Sequence, residues 1–264
     1  VITCQQTAGT ASSVWYKFDA PASGMVKIST DHMVTAYDSL IDSKLGVYSV
    51  TDSSDFTTYQ IIGCDDDNGV VGAGYRNIVY LADLVPGNRY YIKVDKNNPA
   101  NPDAAFCIDV MPMTSAMIST NDNCGGTGYS NNSNWHNGQQ AWVSMLDDNG
   151  LLIYNMKTNA NTTALGAMPN KFYEQSGASR VYNGTPYLNR NYEITSATAP
   201  ATPVTLQFFF TDADYNSLQA AKPSLTMADL NVTRLAGNAA CADTFNPTGH
   251  TASLLTQLAN GSAN

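Results

Sequence analysis

The chain has 264 residues, 43% of them hydrophobic, enough to build one large or two ordinary domains and to exclude wholesale disorder. Only 13% are charged, against ~25% in the usual soluble domain, and 13 basic and 22 acidic residues leave a net charge of −9. Such a surface has little with which to neutralise phosphates, which excludes nucleic acid and anionic membranes as partners, and no apolar run reaches the ~20 residues of a spanning helix.

The opening Val1-Ile2-Thr3-Cys4 has neither an initiator Met nor a charged-then-apolar leader and predicts a processed or truncated chain. Residues 13–18 then alternate large apolar with polar side chains, the period-two pattern of a half-buried strand. Turn chemistry at 21–24 leads into a second alternating run at 25–30, and further strands are predicted at 45–50, 59–62, 77–81, 89–94 and 105–110. A series of about seven strands argues for a β-sandwich.

The alternation is lost from 111 to 129, and 121–133 is almost wholly Asn, Gly, Ser and Thr. This divides the chain into a domain at 1–113, a linker at 114–133 and a second domain at 134–264. Strands at 141–146 and 151–154 flank Asp147-Asp148-Asn149-Gly150, a hairpin whose Asn-Gly pair would supply the positive φ angles of a primed turn. Further strands are predicted at 187–194 and 204–210. Residues 211–221 read as a helix capped by Thr211 or Asp212 and stopped by Lys222-Pro223, and a second capped turn starts at Thr226. The expected fold class is all-β: two β-sandwich domains in tandem, the second with one or two short helices.

The densest acidic stretch is Cys64-Asp65-Asp66-Asp67-Asn68-Gly69, with Asp38 and Asp42 upstream. Three consecutive carboxylates repel one another, and hard oxygen ligands of this kind suit Ca²⁺. The alternative is a solvated acidic turn whose side chains cap their own backbone. An EF-hand is excluded, because Gly falls one place early and Arg76 stands where the closing Glu is required. Asp212, Asp214 and Asn216 are better explained by the helix N-terminus they occupy.

Catalysis finds little to use. Three histidines (His32, His136, His250) occur without a Gly-x-Ser-x-Gly elbow or a His-Glu-x-x-His motif. Glu174 and Glu193, the two glutamates of the chain, sit 19 residues apart on either side of a turn. No enzyme activity is expected. Among the aromatic residues, Trp15, Tyr16, Trp142, Phe208 and Phe210 lie in strand patterns and are assigned to the core. Tyr75, Tyr129, Trp135, Tyr173 and Tyr182 are read as lying in polar loops, where an exposed ring could stack on a sugar, and Tyr75 and Trp135 are taken as the candidate ligand-binding residues. The five cysteines show no Cys-x-x-Cys spacing and fit disulfides formed in an oxidising compartment, with one left over.

Several of these motifs occur together and in order: Ser13-Val14-Trp15-Tyr16-Lys17-Phe18, Pro21-Ala22-Ser23-Gly24, Asp42-Ser43-Lys44-Leu45-Gly46-Val47-Tyr48, the Cys64–Gly69 stretch, and Pro86-Gly87-Asn88-Arg89-Tyr90-Tyr91-Ile92-Lys93-Val94. Over about residues 1–112 they resemble the bacterial pre-peptidase C-terminal (PPC-like) domain of large secreted Bacteroidota surface proteins. The resemblance implies a jelly-roll-like sandwich without catalysis of its own, here lacking its first strand or strands. It also implies Ca²⁺ held by Asp42, Asp65, Asp66, Asp67 and Asn68. The second half is similar to modules found beside PPC-like domains in gliding adhesins and type 9 secretion cargo. With the chain so divided, Cys64 is expected to pair with Cys107 and Cys124 with Cys241, leaving Cys4.

The expected function is that of a non-enzymatic extracellular module on the bacterial cell surface, serving as adhesin, stalk or filament unit. Its partners would be neighbouring modules of the same or identical chains, and surface glycans or proteins. The alternative is a glycan- or protein-binding accessory module of a secreted hydrolase.

Overall fold

A computed structural model describes residues 13–32, 42–71, 75–97, 105–124, 129–131, 140–159, 161, 164–166, 168–236, 241 and 250–257. The strands in chain order are β1 (Ser13–Asp19), β2 (Val26–Ser29), β3 (Ser43–Val50), β4 (Tyr59–Asp66), β5 (Ile78–Leu81), β6 (Arg89–Lys96), β7 (Asp109–Pro112) and β8 (Tyr129–Asn131). They continue as β9 (Val143–Leu146), β10 (Leu152–Lys157), β11 (Met168–Glu174), β12 (Arg180–Tyr182), β13 (Thr185–Tyr187), β14 (Arg190–Ile194) and β15 (Thr205–Phe208). Helix α1 (Asp212–Ala221), β16 (Thr233–Ala236) and β17 (Thr251–Leu254) complete an all-β chain with one α-helix among the described residues. No helix among the described residues is long and apolar enough to cross a membrane.

Two compact units interleave along the sequence. The first draws on 1–119, 130–168 and 196–209, the second on 120–129, 169–195 and 210–264. The units therefore do not part at the 114–133 segment, half of which is built in. Ile118 is buried and bridges to Leu152, and Ser119 donates from its backbone to the Leu152 carbonyl.

In the first unit, an antiparallel sheet of order β1-β6-β3-β4 faces a second of order β5-β2-β7. Val26 and Ile28 from β2, Leu45 and Val47 from β3, Val79 and Leu81 from β5 and Ile92 from β6 fill the space between them. The period of two explains each strand's contribution. On β1, Tyr16 and Phe18 pack against this core. Trp15, Lys17 and Asp19 take the opposite face, so Trp15 is not the core residue its apolar character implied. It is 37% exposed.

Side chains of β4 and of a third sheet, β15-β10-β9, close the free edge of β5. The backbone N–H of Ile78 donates to Asp65 Oδ2 (2.7 Å) and that of Tyr80 to Ser144 Oγ (2.8 Å), while the Tyr80 carbonyl accepts from Asn155 Nδ2 (3.1 Å). The buried Tyr80 hydroxyl donates to the Gly150 carbonyl at 2.8 Å. An edge so satisfied is no template for another strand. β4 is likewise covered, its Ile62 carbonyl and Cys64 N–H both bonded to the backbone of Trp142.

The β9–β10 hairpin forms where the sequence places it, but not through a primed turn. Gly150 alone in the turn has positive φ (+73°), and the Asp147 carboxylate accepts from the N–H groups of Asn149 and Leu151 (2.9 Å each). With Gly150 N–H bonded to the Asp147 carbonyl, the chain turns around an Asp side chain.

The described residues of the second unit form the antiparallel pair β11–β14, hairpins β12–β13 and β16–β17, and α1. The strand predicted at 187–194 is broken between β13 and β14. There Asn189 turns its side chain to the backbone of Gly177, Ala178 and Arg180 in place of a ladder. Helix α1 starts as predicted, with a capping box between Thr211 and Asp214, and the Thr226 turn carries a second box with Asp229. Asp214 also accepts from Arg190 Nε (2.9 Å), and Arg190 Nη2 lies 2.9 Å from Glu174. Two carboxylates and the Phe172 ring thus surround a guanidinium that is almost fully buried.

Candidate metal centre

Register brings the acidic residues to one end of the first sheet. Lys44 of β3 pairs with Asp66 of β4, and Ser43 pairs with Lys96 of β6, so Asp42 precedes β3 at the same end. Asp67 follows β4 with positive φ (+73°), a conformation that turns the chain out of the sheet. Carboxylate oxygens of Asp42, Asp66 and Asp67 lie within 4.8 Å of one another.

The second oxygens of two of these groups are held in place. Asp42 Oδ2 accepts from Asn97 Nδ2 (2.8 Å), and Asp66 Oδ2 lies 3.3 Å from Lys44 Nζ. Oδ1 of Asp42, Asp66 and Asp67 is in each case buried without a hydrogen-bond partner. Three inward carboxylates beside the Lys44 ammonium leave an excess of negative charge among the described residues, and a hard divalent cation with oxygen ligands fits such a donor set. Asp42, Asp66 and Asp67 would hold it, and the ion would supply charge neutralisation that locks the ends of β3 and β4 together.

Burial, reinforced by the charges of Asp66 and Asp42, pushes the Asp67 carboxyl up to about 7. Asp66 is raised as well, chiefly by burial and against the pull of Lys44. A carboxyl raised on folding keeps its proton longer in the folded state, so its ionisation destabilises the fold. In a chelating buffer, stability should therefore fall as pH rises from about 4 to about 7, the interval between the ordinary 3.8 and the raised value of about 7. Urea midpoints across that range would show the slope, and Asp67→Asn should flatten it.

Asp65 and Asn68, both expected as ligands, are turned elsewhere. β4 continues through Asp66, so Asp65 points between the sheets, fully buried and bonded to Ile78 N–H. Asn68 is buried with Nδ2 donating to the Ser144 carbonyl at 3.3 Å. The loop beyond is fastened by Asp31, which accepts from the N–H groups of Val70 and Val71 (3.0 Å each). Gly69 donates to the Arg76 carbonyl at 2.7 Å, and a Cβ there would come within 2.8 Å of Arg76 Cβ.

The cysteines follow the expectation in part. Cys124 and Cys241 form a disulfide, with Cα atoms 5.4 Å apart. Cys107 is a free, exposed thiol, so the expected Cys64–Cys107 bridge does not form. Cys64 is disulfide-bonded to a partner outside the described residues. Period two again gives the reason: Cys64 alternates with Gly63 and Asp65, which face the opposite sheet, and so takes the other face of β4 with Asp66.

Of the ring residues, Tyr75 is exposed in its loop and Trp135 lies outside the described residues. Tyr16 and Trp142 are partly buried against the first core, as expected. The two glutamates are engaged in ion pairs, Glu174 with Arg190 and Glu193 with Lys171 (3.2 Å), and His32 Nε2 lies 3.1 Å from Asp109. Sequence reasoning missed a group of rings on the outer face of the β1-β6-β3-β4 sheet, comprising Trp15, Tyr48, Phe56, Tyr59 and Tyr91. No protein-family model, curated protein or solved structure matches the chain.

Proposed function

We propose that this chain is a non-enzymatic, extracellular structural and adhesive module of a large secreted bacterial surface protein, acting as an adhesin, stalk or filament unit. The observation that carries this reading is the convergence of Asp42, Asp66 and Asp67 beside disulfide-bonded Cys64. Disulfides persist in oxidising compartments, and extracellular modules bind Ca²⁺ at roughly 10⁻⁴–10⁻³ M. Ca²⁺ at this end would stiffen a sheet already covalently tied, which suits a load-bearing spacer. The PPC-like motif order quoted above supports the same reading.

Neighbouring modules of the same or identical chains are the proposed structural partners. β4 and β5 have closed edges, whereas seven-residue β1 pairs only with β6 among the described residues and carries Val14 exposed at its start. An edge of that kind accepts a further strand. Sedimentation velocity of the full chain in CaCl2 should show ordered, concentration-dependent association that Val14→Lys weakens. A monomer at every concentration, with and without Ca²⁺, would contradict the filament-unit reading. A second reading, the accessory binding module of a secreted hydrolase, is favoured by the exposed rings on the same sheet.

A further inference from the structure

We infer that the outer face of the β1-β6-β3-β4 sheet is a platform for a neutral polysaccharide; this rests on the adhesive part of the function proposed above and names its ligand class. The ring of Trp15 lies 5.5 Å from Tyr48, 5.4 Å from Tyr59 and 5.9 Å from Phe56, centroid to centroid. Phe56 lies 5.0 Å from Tyr59, and Tyr59 lies 5.6 Å from Tyr91. Four strands and the 3-10 turn Phe56–Thr58 thus contribute to one continuous aromatic surface. Cross-strand packing accounts for the Tyr48–Tyr91 pair, which sit opposite each other in register. It does not account for Phe56, which leaves its turn to join the group and is 69% exposed. Phe56 and Trp15 are exposed beside half-buried Tyr48, Tyr59 and Tyr91, and a contiguous aromatic patch with two large rings in water marks a binding surface.

Charge complementarity selects the ligand. Around the rings, charged groups are matched in place: Lys93 with Asp95 (2.8 Å) and Arg89 with Asp19 (2.8 Å), with Lys17 beside that pair. Asp52 accepts from the N–H and hydroxyl of Ser54, and Asp55 from those of Thr57. A charged ligand would have to displace these partners. The uncharged polar groups of the rim are the phenolic hydroxyls of Tyr59 and Tyr91, of which that of Tyr59 donates to the Ser53 carbonyl and can still accept. A pyranose chain presents the matching chemistry, an apolar C–H face for the rings and hydroxyls for the rim, without net charge.

The test is affinity electrophoresis of the full chain through gels containing laminarin or neutral xylan, with pull-down on insoluble cellulose and chitin. Polygalacturonate serves as the charged control, gelatin as the protein control and Val85→Ala as the control variant. Retention on at least one neutral polysaccharide is expected, insensitive to salt. It should weaken roughly tenfold or more in Phe56→Ala and in Trp15→Ala. Phe56 lies in an exposed turn, so its variant should keep the melting temperature of the parent chain, and melting curves check both variants. Absence of retention on all four neutral polymers, salt-labile retention on polygalacturonate alone, or retention unchanged in both variants would overturn the inference. Retention on gelatin alone would also overturn it while leaving an adhesive module standing, and the sedimentation experiment tests the structural reading separately.

Discussion

Replacing Cys124 and Cys241 together by serine is expected to lower the stability of the second unit by about 2–5 kcal/mol. The two residues are 117 positions apart in sequence, and closing so long a loop removes much of the unfolded chain's freedom. Little else among the described residues of that unit compensates. Among the described residues it has three antiparallel pairs of strands and a ten-residue helix with Leu218 as its buried residue. Small sheets of this kind are marginal alone. The paired substitution, followed by urea denaturation, isolates this bridge from the bond at Cys64, which a reductant would also break. Alkylation of the native, unreduced chain gives an independent check, with Cys107 as the labelled thiol. An unchanged urea midpoint, or labelling at Cys124, would show that the bridge does not hold the unit.

Much of the first unit was legible because its strands alternate cleanly. Five of the seven strands expected there appear with at most small changes of length, as do the β9–β10 hairpin and both helix caps. The last run, at 105–110, is displaced to Asp109–Pro112. What failed was largely one assumption, that a strand ends where its apolar residues end. β4 runs on through Asp65 and Asp66, and a period of two cannot place three consecutive side chains on one face. One acid therefore enters the core and bonds to the neighbouring sheet, leaving its neighbours to meet Asp42. The same rule, applied to β1, would have exposed the aromatic surface. Trp15 shares its face with Ser13, Lys17 and Asp19, while Val14, Tyr16 and Phe18 form the apolar set. The interleaving of the two units was not legible, since it depends on side chains such as Ser144 and Asn155 finding the free edge of β5. Nothing in their local sequence distinguishes them from ordinary polar strand residues.

Thermal unfolding of the full chain in EGTA and in CaCl2 addresses the proposed role most directly. A ligand that binds only the folded state at a hundredfold excess over its Kd stabilises it by about 2.7 kcal/mol. For a chain of this size that corresponds to a rise of roughly 5–10 °C in Tm. The double variant Asp66→Asn, Asp67→Asn should lose the rise. In EGTA it should melt no lower than the parent chain, because it removes the repulsion that the ion would otherwise relieve. A higher Tm in CaCl2, abolished in that variant, is the predicted result. A Tm that Ca²⁺ leaves unchanged would contradict the cation-braced module.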